Sequence, residues 1–146
     1  VSSSVFVDTN VLVYLRDSSD PEKQRAAARW MAYLWDTGGG RLSLQVLQEY
    51  YVTVTRKLNP GLPPPEARED VAALRVWSPL PPDTELLEEA WTVEDRYELS
   101  FWDSLIVASA HRLECSVLLT EDLQDGQDLG GVVVQSPFTR EPDSGT

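Results

Sequence analysis

Short apolar runs alternate with helical segments along this chain, and two of the runs end on acidic residues. Val5-Phe6-Val7 leads straight into Asp8-Thr9-Asn10, and Ser116-Val117-Leu118-Leu119-Thr120 leads into Glu121-Asp122. Such a run, bounded by polar turn residues, reads as a strand buried on both faces. Strands alternating with helices make an α/β domain with a mainly parallel sheet. Sheets of that kind bind ligands beyond the carboxyl ends of their strands. If the two runs lie side by side, Asp8 and the Glu121/Asp122 pair point into one crevice.

The segments between them are mostly helical. Asp20-Pro21 opens a helix expected over 20–35, with Asp20 as N-cap and Pro21 in the first turn, and Gly38-Gly39-Gly40 stops it. Residues 41–44 read as a second strand. A helix follows over about 45–58, with Leu47, Tyr50, Tyr51, Val54 and Leu58 at helical spacing. Further helices are expected over about 66–75, 84–97 and 101–113, with short strands at 76–80 and 132–134. No internal repeat is present. One domain is expected over 1–138, followed by a mobile tail over 139–146.

Charge and composition exclude several classes. The chain carries 12 Lys+Arg against 24 Asp+Glu in 146 residues, a formal net charge of −12. A passive nucleic-acid coat protein is normally basic. An acidic enzyme that reaches phosphates through bound cations is compatible with this balance. The single cysteine, Cys115, allows no internal disulfide and no cysteine-based zinc site. The single histidine, His111, excludes a two-histidine ribonuclease and an HExxH metal site. Neither lysine, Lys23 or Lys57, follows glycine in a phosphate-loop pattern. No apolar run approaches membrane-spanning length and no signal peptide is visible, so a cytoplasmic setting with no membrane partner is expected.

With so many acids, one carboxylate says little and its context decides. Asp8 can be the N-cap of the helix it precedes; if Asn10 caps instead, Asp8 is free. Ser100-x-x-Asp103 matches a capping box. Yet Asp103 also shares its helix face with Ile106, Val107 and Ala110, which aims it at an interior cleft. Glu49, in mid-helix, reads alone as solvated. Glu121, Asp122, Asp125 and Asp128 read alone as an acidic turn, without the spacing of an EF-hand. Converged carboxylates are a different matter. Two unit charges at about 4 Å repel by roughly 4 kcal/mol at an effective dielectric near 20. Such a cluster must hold protons or a divalent cation, and all-oxygen ligation suits Mg²⁺ or Mn²⁺ rather than Zn²⁺.

Four segments carry a resemblance. They are Val5-Phe6-Val7-Asp8-Thr9-Asn10-Val11-Leu12, Gln45-Val46-Leu47-Gln48-Glu49-Tyr50-Tyr51, Phe101-Trp102-Asp103-Ser104-Leu105-Ile106-Val107-Ala108-Ser109-Ala110 and Leu118-Leu119-Thr120-Glu121-Asp122-Leu123-Gln124-Asp125-Gly126. In order and spacing the chain resembles PIN-domain ribonucleases of the VapC-like toxin type, from type II toxin–antitoxin pairs, over about 5–138. The resemblance implies a PIN-like (Rossmann-like) three-layer sandwich, its parallel sheet in the order 3-2-1-4-5 with helices on both faces. It implies an acidic quartet at Asp8, Glu49, Asp103 and Asp122, with Asp8, Asp103 and Asp122 as metal ligands. Asn10 and Thr120 match supporting polar positions, and Glu121 lies beside them. It further implies Mg²⁺- or Mn²⁺-dependent cleavage of RNA that leaves a 3′-hydroxyl and a 5′-phosphate. Its expected partners are a small VapB-type antitoxin and a second copy of the chain.

With so acidic a balance, RNA binding is expected to rely on the metal and a cationic strip, Arg16, Arg41, Arg56 and Lys57. Trp30, Met31, Leu34 and Trp35, with Tyr50, Tyr51 and Val54 on the next helix, are expected to supply an apolar groove for the antitoxin. A haloacid-dehalogenase-like phosphatase needs a second Asp where this chain has Asn10, and a late lysine where the last is Lys57. A phosphoacceptor receiver domain needs a late lysine as well. A non-catalytic, metal-stabilised scaffold of the same fold is the remaining alternative.

Overall fold

The computed structural model describes residues 4–142. Four parallel strands, β1 (Val5–Val7), β2 (Gly40–Arg41), β3 (Val117–Leu119) and β4 (Val133–Gln135), form one sheet in the order β2-β1-β3-β4. Val5, Phe6 and Val7 are all buried. Successive strand residues face opposite ways, so both faces of the sheet are covered. Six α-helices supply the cover: α1 (Thr9–Tyr14), α2 (Pro21–Thr37), α3 (Leu44–Arg56), α4 (Pro64–Leu74), α5 (Thr84–Tyr97) and α6 (Phe101–Arg112). Phe6, Leu12, Leu34, Leu42, Val46, Leu118 and Leu119 lie in one continuous core.

Local chemistry sets the helix ends. Asp20 accepts from the Lys23 amide at 3.1 Å and starts α2; Gly38, at φ +71°, ends it in the left-handed region that glycine tolerates. Ser43 caps α3, Asp83 caps α5 and Ser100 caps α6, each through its side-chain oxygen. A Cβ on Gly40 would fall 2.3 Å from the Trp77 ring, so only glycine lets Trp77 pack on β2.

The sheet has four strands, and the expected order 3-2-1-4-5 is corrected by the loss of its edge member. The expected strand at 76–80 is instead a 3₁₀ turn (Arg75–Trp77), then Ser78 at φ +51° and Pro79, which has no N–H to donate. Only Leu80 reaches the sheet, through a single parallel bridge to Ser43. The remaining order is that of the expected sheet without this strand.

Part of the segment expected as a tail is bonded. Trp30 donates to the Arg140 carbonyl at 2.9 Å, and the Thr139 hydroxyl donates to Asp125 at 2.7 Å. Residues 143–146 lie outside the described residues.

Candidate active site

β1 and β3 are adjacent and in register, Val7 opposite Leu119, so the residues that follow them meet at the carboxyl end of the sheet. Asp8 is 5% exposed. It occupies the N-cap position of α1, and Asn10 lies inside the helix, so the alternative in which Asn10 caps does not hold. The Asp8 carboxylate still reaches the crevice. It accepts from the Thr9 amide at 2.7 Å and from the Thr120 hydroxyl at 2.9 Å. Burial, opposed by these two hydrogen bonds and reinforced by the charges of Asp122 and Glu49, lifts its pKa to about 7.

Glu49 and Asp122 act on Asp8 directly, and Asp103 feels the charges of those two. Glu49, on α3, accepts from the Thr9 hydroxyl at 2.8 Å and from the Gln45 amide at 3.3 Å. Asp103, in the first turn of α6, follows a cap in which its amide donates to Ser100 Oγ at 3.1 Å. Its pKa is raised by burial first, and then by the charges on Asp122 and Glu49. Asp122 is exposed, and its Oδ2 accepts from Asn10 Nδ2 at 3.1 Å. Asn10 Nδ2 also donates to Thr120 Oγ1 at 2.9 Å, and the Thr120 oxygen accepts from the Asp122 amide at 3.1 Å. Asn10 and Thr120 thus tie the turn after β3 to the turn after β1.

The remaining candidates lie as follows. Glu121 faces away from Asp8, toward Tyr14 and Lys23. Asp125 accepts from the Ser136 amide and the Thr139 hydroxyl, which lower its pKa in that order. Arg16 forms a two-toothed pair with Asp70 at 2.9 and 2.7 Å and approaches Glu66 at 3.4 Å. Arg41 donates to the carbonyls of Gly38 and Gly40, at the amino end of β2. Arg56 and Lys57 are exposed at the end of α3. A cleft of about 280 Å³ opens beside the acids, lined by Thr9, Asn10, Tyr14, Thr53, Glu121 and Asp122 among others. Lys57 follows Thr53 by one helical turn.

Sequence reasoning missed Thr9, Gln45, Tyr14 and Lys23. The first lies inside the Asp8-Thr9-Asn10 motif, and Gln45 precedes Glu49 by four residues, the spacing that places two side chains on one helix face. Tyr14 and Lys23 had no sequence signal, because their partner lies about a hundred residues away.

The donor set can be tested against a cation. Carboxylate, hydroxyl and amide oxygens line the crevice, and His111 is elsewhere, against the Leu129 carbonyl at 2.6 Å. Hard oxygens suit Mg²⁺ or Mn²⁺. Among the described residues no three acidic, histidine or cysteine side chains close tightly enough to enclose an ion. Mg²⁺ does not require that enclosure, since it retains several waters and takes one or two carboxylates. Asp8, buried beside other acids without a cationic partner, fits such a role.

The PIN domain family model matches residues 5–124, and the chain belongs to that family. Among solved structures, it is similar to a toxin–antitoxin complex from Klebsiella pneumoniae, with a TM-score of 0.63 and 22% identity over 96% of this chain and 100% of that one. It is also similar to Mycobacterium tuberculosis VapC20, described as a sarcin–ricin loop cleaving toxin, with a TM-score of 0.59 and 24% identity over 79% of this chain and 87% of that one. At these identities the two neighbours establish the fold. No curated protein sequence matches. Among the described residues no helix is long and apolar enough to cross a membrane.

Proposed function

We propose that this protein is a divalent-metal-dependent endoribonuclease and the toxin of a toxin–antitoxin pair. The observation that carries the reading is Asp8: a buried carboxylate whose neighbours Glu49 and Asp122 repel it and which, among the described residues, has no Arg or Lys paired with it. Family membership and the toxin structures it resembles point the same way.

In this reading Asp8 would hold the cation directly, and Asp103 and Asp122 would do so through its retained waters. When bound, it neutralises charge on the phosphate and makes water acidic enough to act as a nucleophile near neutral pH. The protein's own groups do the rest. Thr120 and the Thr9 amide fix the Asp8 carboxylate, and Asn10 fixes Asp122. Glu49, braced by Thr9 and Gln45, orients the attacking water and takes its proton. The RNA strand follows the cleft toward Arg56 and Lys57, since Arg16 is already paired and Arg41 lies at the other end of β2.

The antitoxin is assigned to a second concavity. A groove of about 330 Å³ between α1, α2, α3 and α4 is lined by Leu12, Leu15, Met31, Trp35, Tyr50 and Leu74, with Arg16 and Asp70 at its polar wall. Trp35 is 44% exposed there, whereas Trp30, Met31, Leu34, Tyr50 and Val54 are buried. A self-association surface is assigned to the exposed Leu44 and Val52 on α3 and Trp102 on α6. The test is cleavage of RNA by the purified chain with Mg²⁺ and with EDTA. Asp8→Asn and Asp103→Asn should be inactive and folded; cleavage by either folded variant removes the assignment.

A further inference from the structure

Two adjacent carboxylates follow β3, and they point to different partners. Asp122 is held on the crevice side by Asn10. Glu121 is held one helical turn further along α1: Tyr14 donates to its Oε1 at 2.6 Å and Lys23 Nζ to its Oε2 at 2.9 Å. Lys23 also donates to the Tyr14 oxygen at 3.3 Å, and its ammonium lies 5.1 Å from the Tyr14 ring centroid and 5.0 Å from that of Phe138. The two rings meet edge to face at 5.2 Å. Both carboxylate oxygens of Glu121 are therefore occupied by donors whose own positions are fixed by packing.

Asn10 binds both members of the turn, accepting from the Glu121 amide at 3.3 Å and donating to Asp122. The turn is held along one face of α1, by Asn10 and, one helical turn on, by Tyr14, with Lys23 of α2 beside it. Were Glu121 released, its charge would compete with Asp122 for the same space beside Asp8, and like charges there are costly.

We propose that Tyr14 and Lys23 are positioning residues: by engaging both oxygens of Glu121 they keep it from Asp8 and leave Asp122 as the acid of the turn that stands beside Asp8. The inference rests on the nuclease reading for its activity readout, and its second readout is metal binding. Partners of ligating side chains typically cost ten- to a hundredfold in affinity or activity when removed.

Tyr14→Phe is the decisive variant, because it removes one hydrogen bond and no charge. It should weaken Mn²⁺ binding, measured by calorimetry, about tenfold and lower kcat on RNA by a similar factor. Lys23→Met should lower kcat likewise, and Lys23→Arg should recover most of it. Asp122→Ala should weaken Mn²⁺ binding more than Glu121→Ala, as expected when Asp122 reaches the ion through water and Glu121 does not. Wild-type Mn²⁺ affinity and kcat in folded Tyr14→Phe would overturn the inference, as would a change confined to KM, which marks a substrate contact. A chain that binds Mn²⁺ in a Tyr14-dependent way but cleaves no RNA keeps this inference and removes the nuclease reading. An Mg²⁺-dependent ribonuclease indifferent to Tyr14→Phe does the reverse.

Discussion

Asp8 is buried and Asp70 half-buried, and the fold treats the two in opposite ways. Asp70 sits on α4 with the Arg16 guanidinium across two hydrogen bonds and the Tyr50 hydroxyl donating as well. Burial raises its pKa, but Arg16 and Tyr50 outweigh burial, and the pKa falls below the usual carboxylate value. Asp8 has the Thr120 hydroxyl, the Thr9 amide and, at 3.5 Å, the Asn10 side chain as donors, two acids nearby and, among the described residues, no cation paired with it. A carboxylate meant only to hold helices together is given its counter-charge by the chain itself. One left without it, in an open crevice, is set to receive a counter-charge from outside.

The largest effect should separate the two aspartates by activity. Asp8→Asn and Asp103→Asn should lower Mg²⁺-dependent cleavage by roughly a thousandfold or more, whereas Asp70→Asn should retain it. Asp70→Asn should instead cost about 1–3 kcal/mol in denaturant unfolding, because Arg16 loses a charged acceptor. Inactive Asp70→Asn at full stability would break the comparison.

Acid and base should act on the two in opposite directions. Asp8 holds its proton more tightly folded than unfolded, with a folded pKa of about 7. Its contribution to stability is complete below about pH 4 and is lost as pH rises through about 7, a span of up to ~4 kcal/mol. Asp70, with a lowered pKa, contributes above the ordinary carboxylate range and loses that contribution on acidification. In EDTA at alkaline pH, Asp8→Asn should therefore unfold at higher denaturant than wild type. Equal midpoints would mean that Asp8 is not strained by ionisation.

Metal should erase the difference. Mg²⁺ or Mn²⁺ at about a hundred times Kd should stabilise the folded protein by roughly 2.7 kcal/mol, read as a rise in Tm, and Asp8→Asn should show less. An identical rise in both would place the ion elsewhere. The smallest effect belongs to an aspartate that only caps. Asp20→Ala should cost about 1 kcal/mol and leave both cleavage and the metal-induced shift intact.

The sequence carried the fold where one physical signal dominated. Val5-Phe6-Val7 could only be buried, and Asp20-Pro21 could only begin a helix, so the strand and the start of α2 were legible. Residues 76–80 misled because Val76 and Leu80 suit a strand, while Ser78 and Pro79 deny it a ladder; Trp77 leaves to pack on Gly40 and Trp35. The meeting of Asp8 with Asp122 was legible from the two strand ends, whereas Glu49, which by itself looked solvated, entered the candidate site only through the family resemblance. The partners of the candidate cations were hidden for a simpler reason. Arg16 and Asp70 are fifty-four residues apart, and no local pattern announces a pair at that distance.

Both borders of the sheet are partly covered by irregular chain. Beyond β2, Leu80 takes the Leu42 carbonyl and gives its own to the Leu44 amide. Beyond β4, the Val134 carbonyl and amide are engaged by Gly126 and Gln127. The row of donors and acceptors that a strand from another molecule could extend is thereby shortened on each side, which works against the runaway stacking that long open borders invite. The helices, not the sheet borders, offer a companion the larger continuous surface.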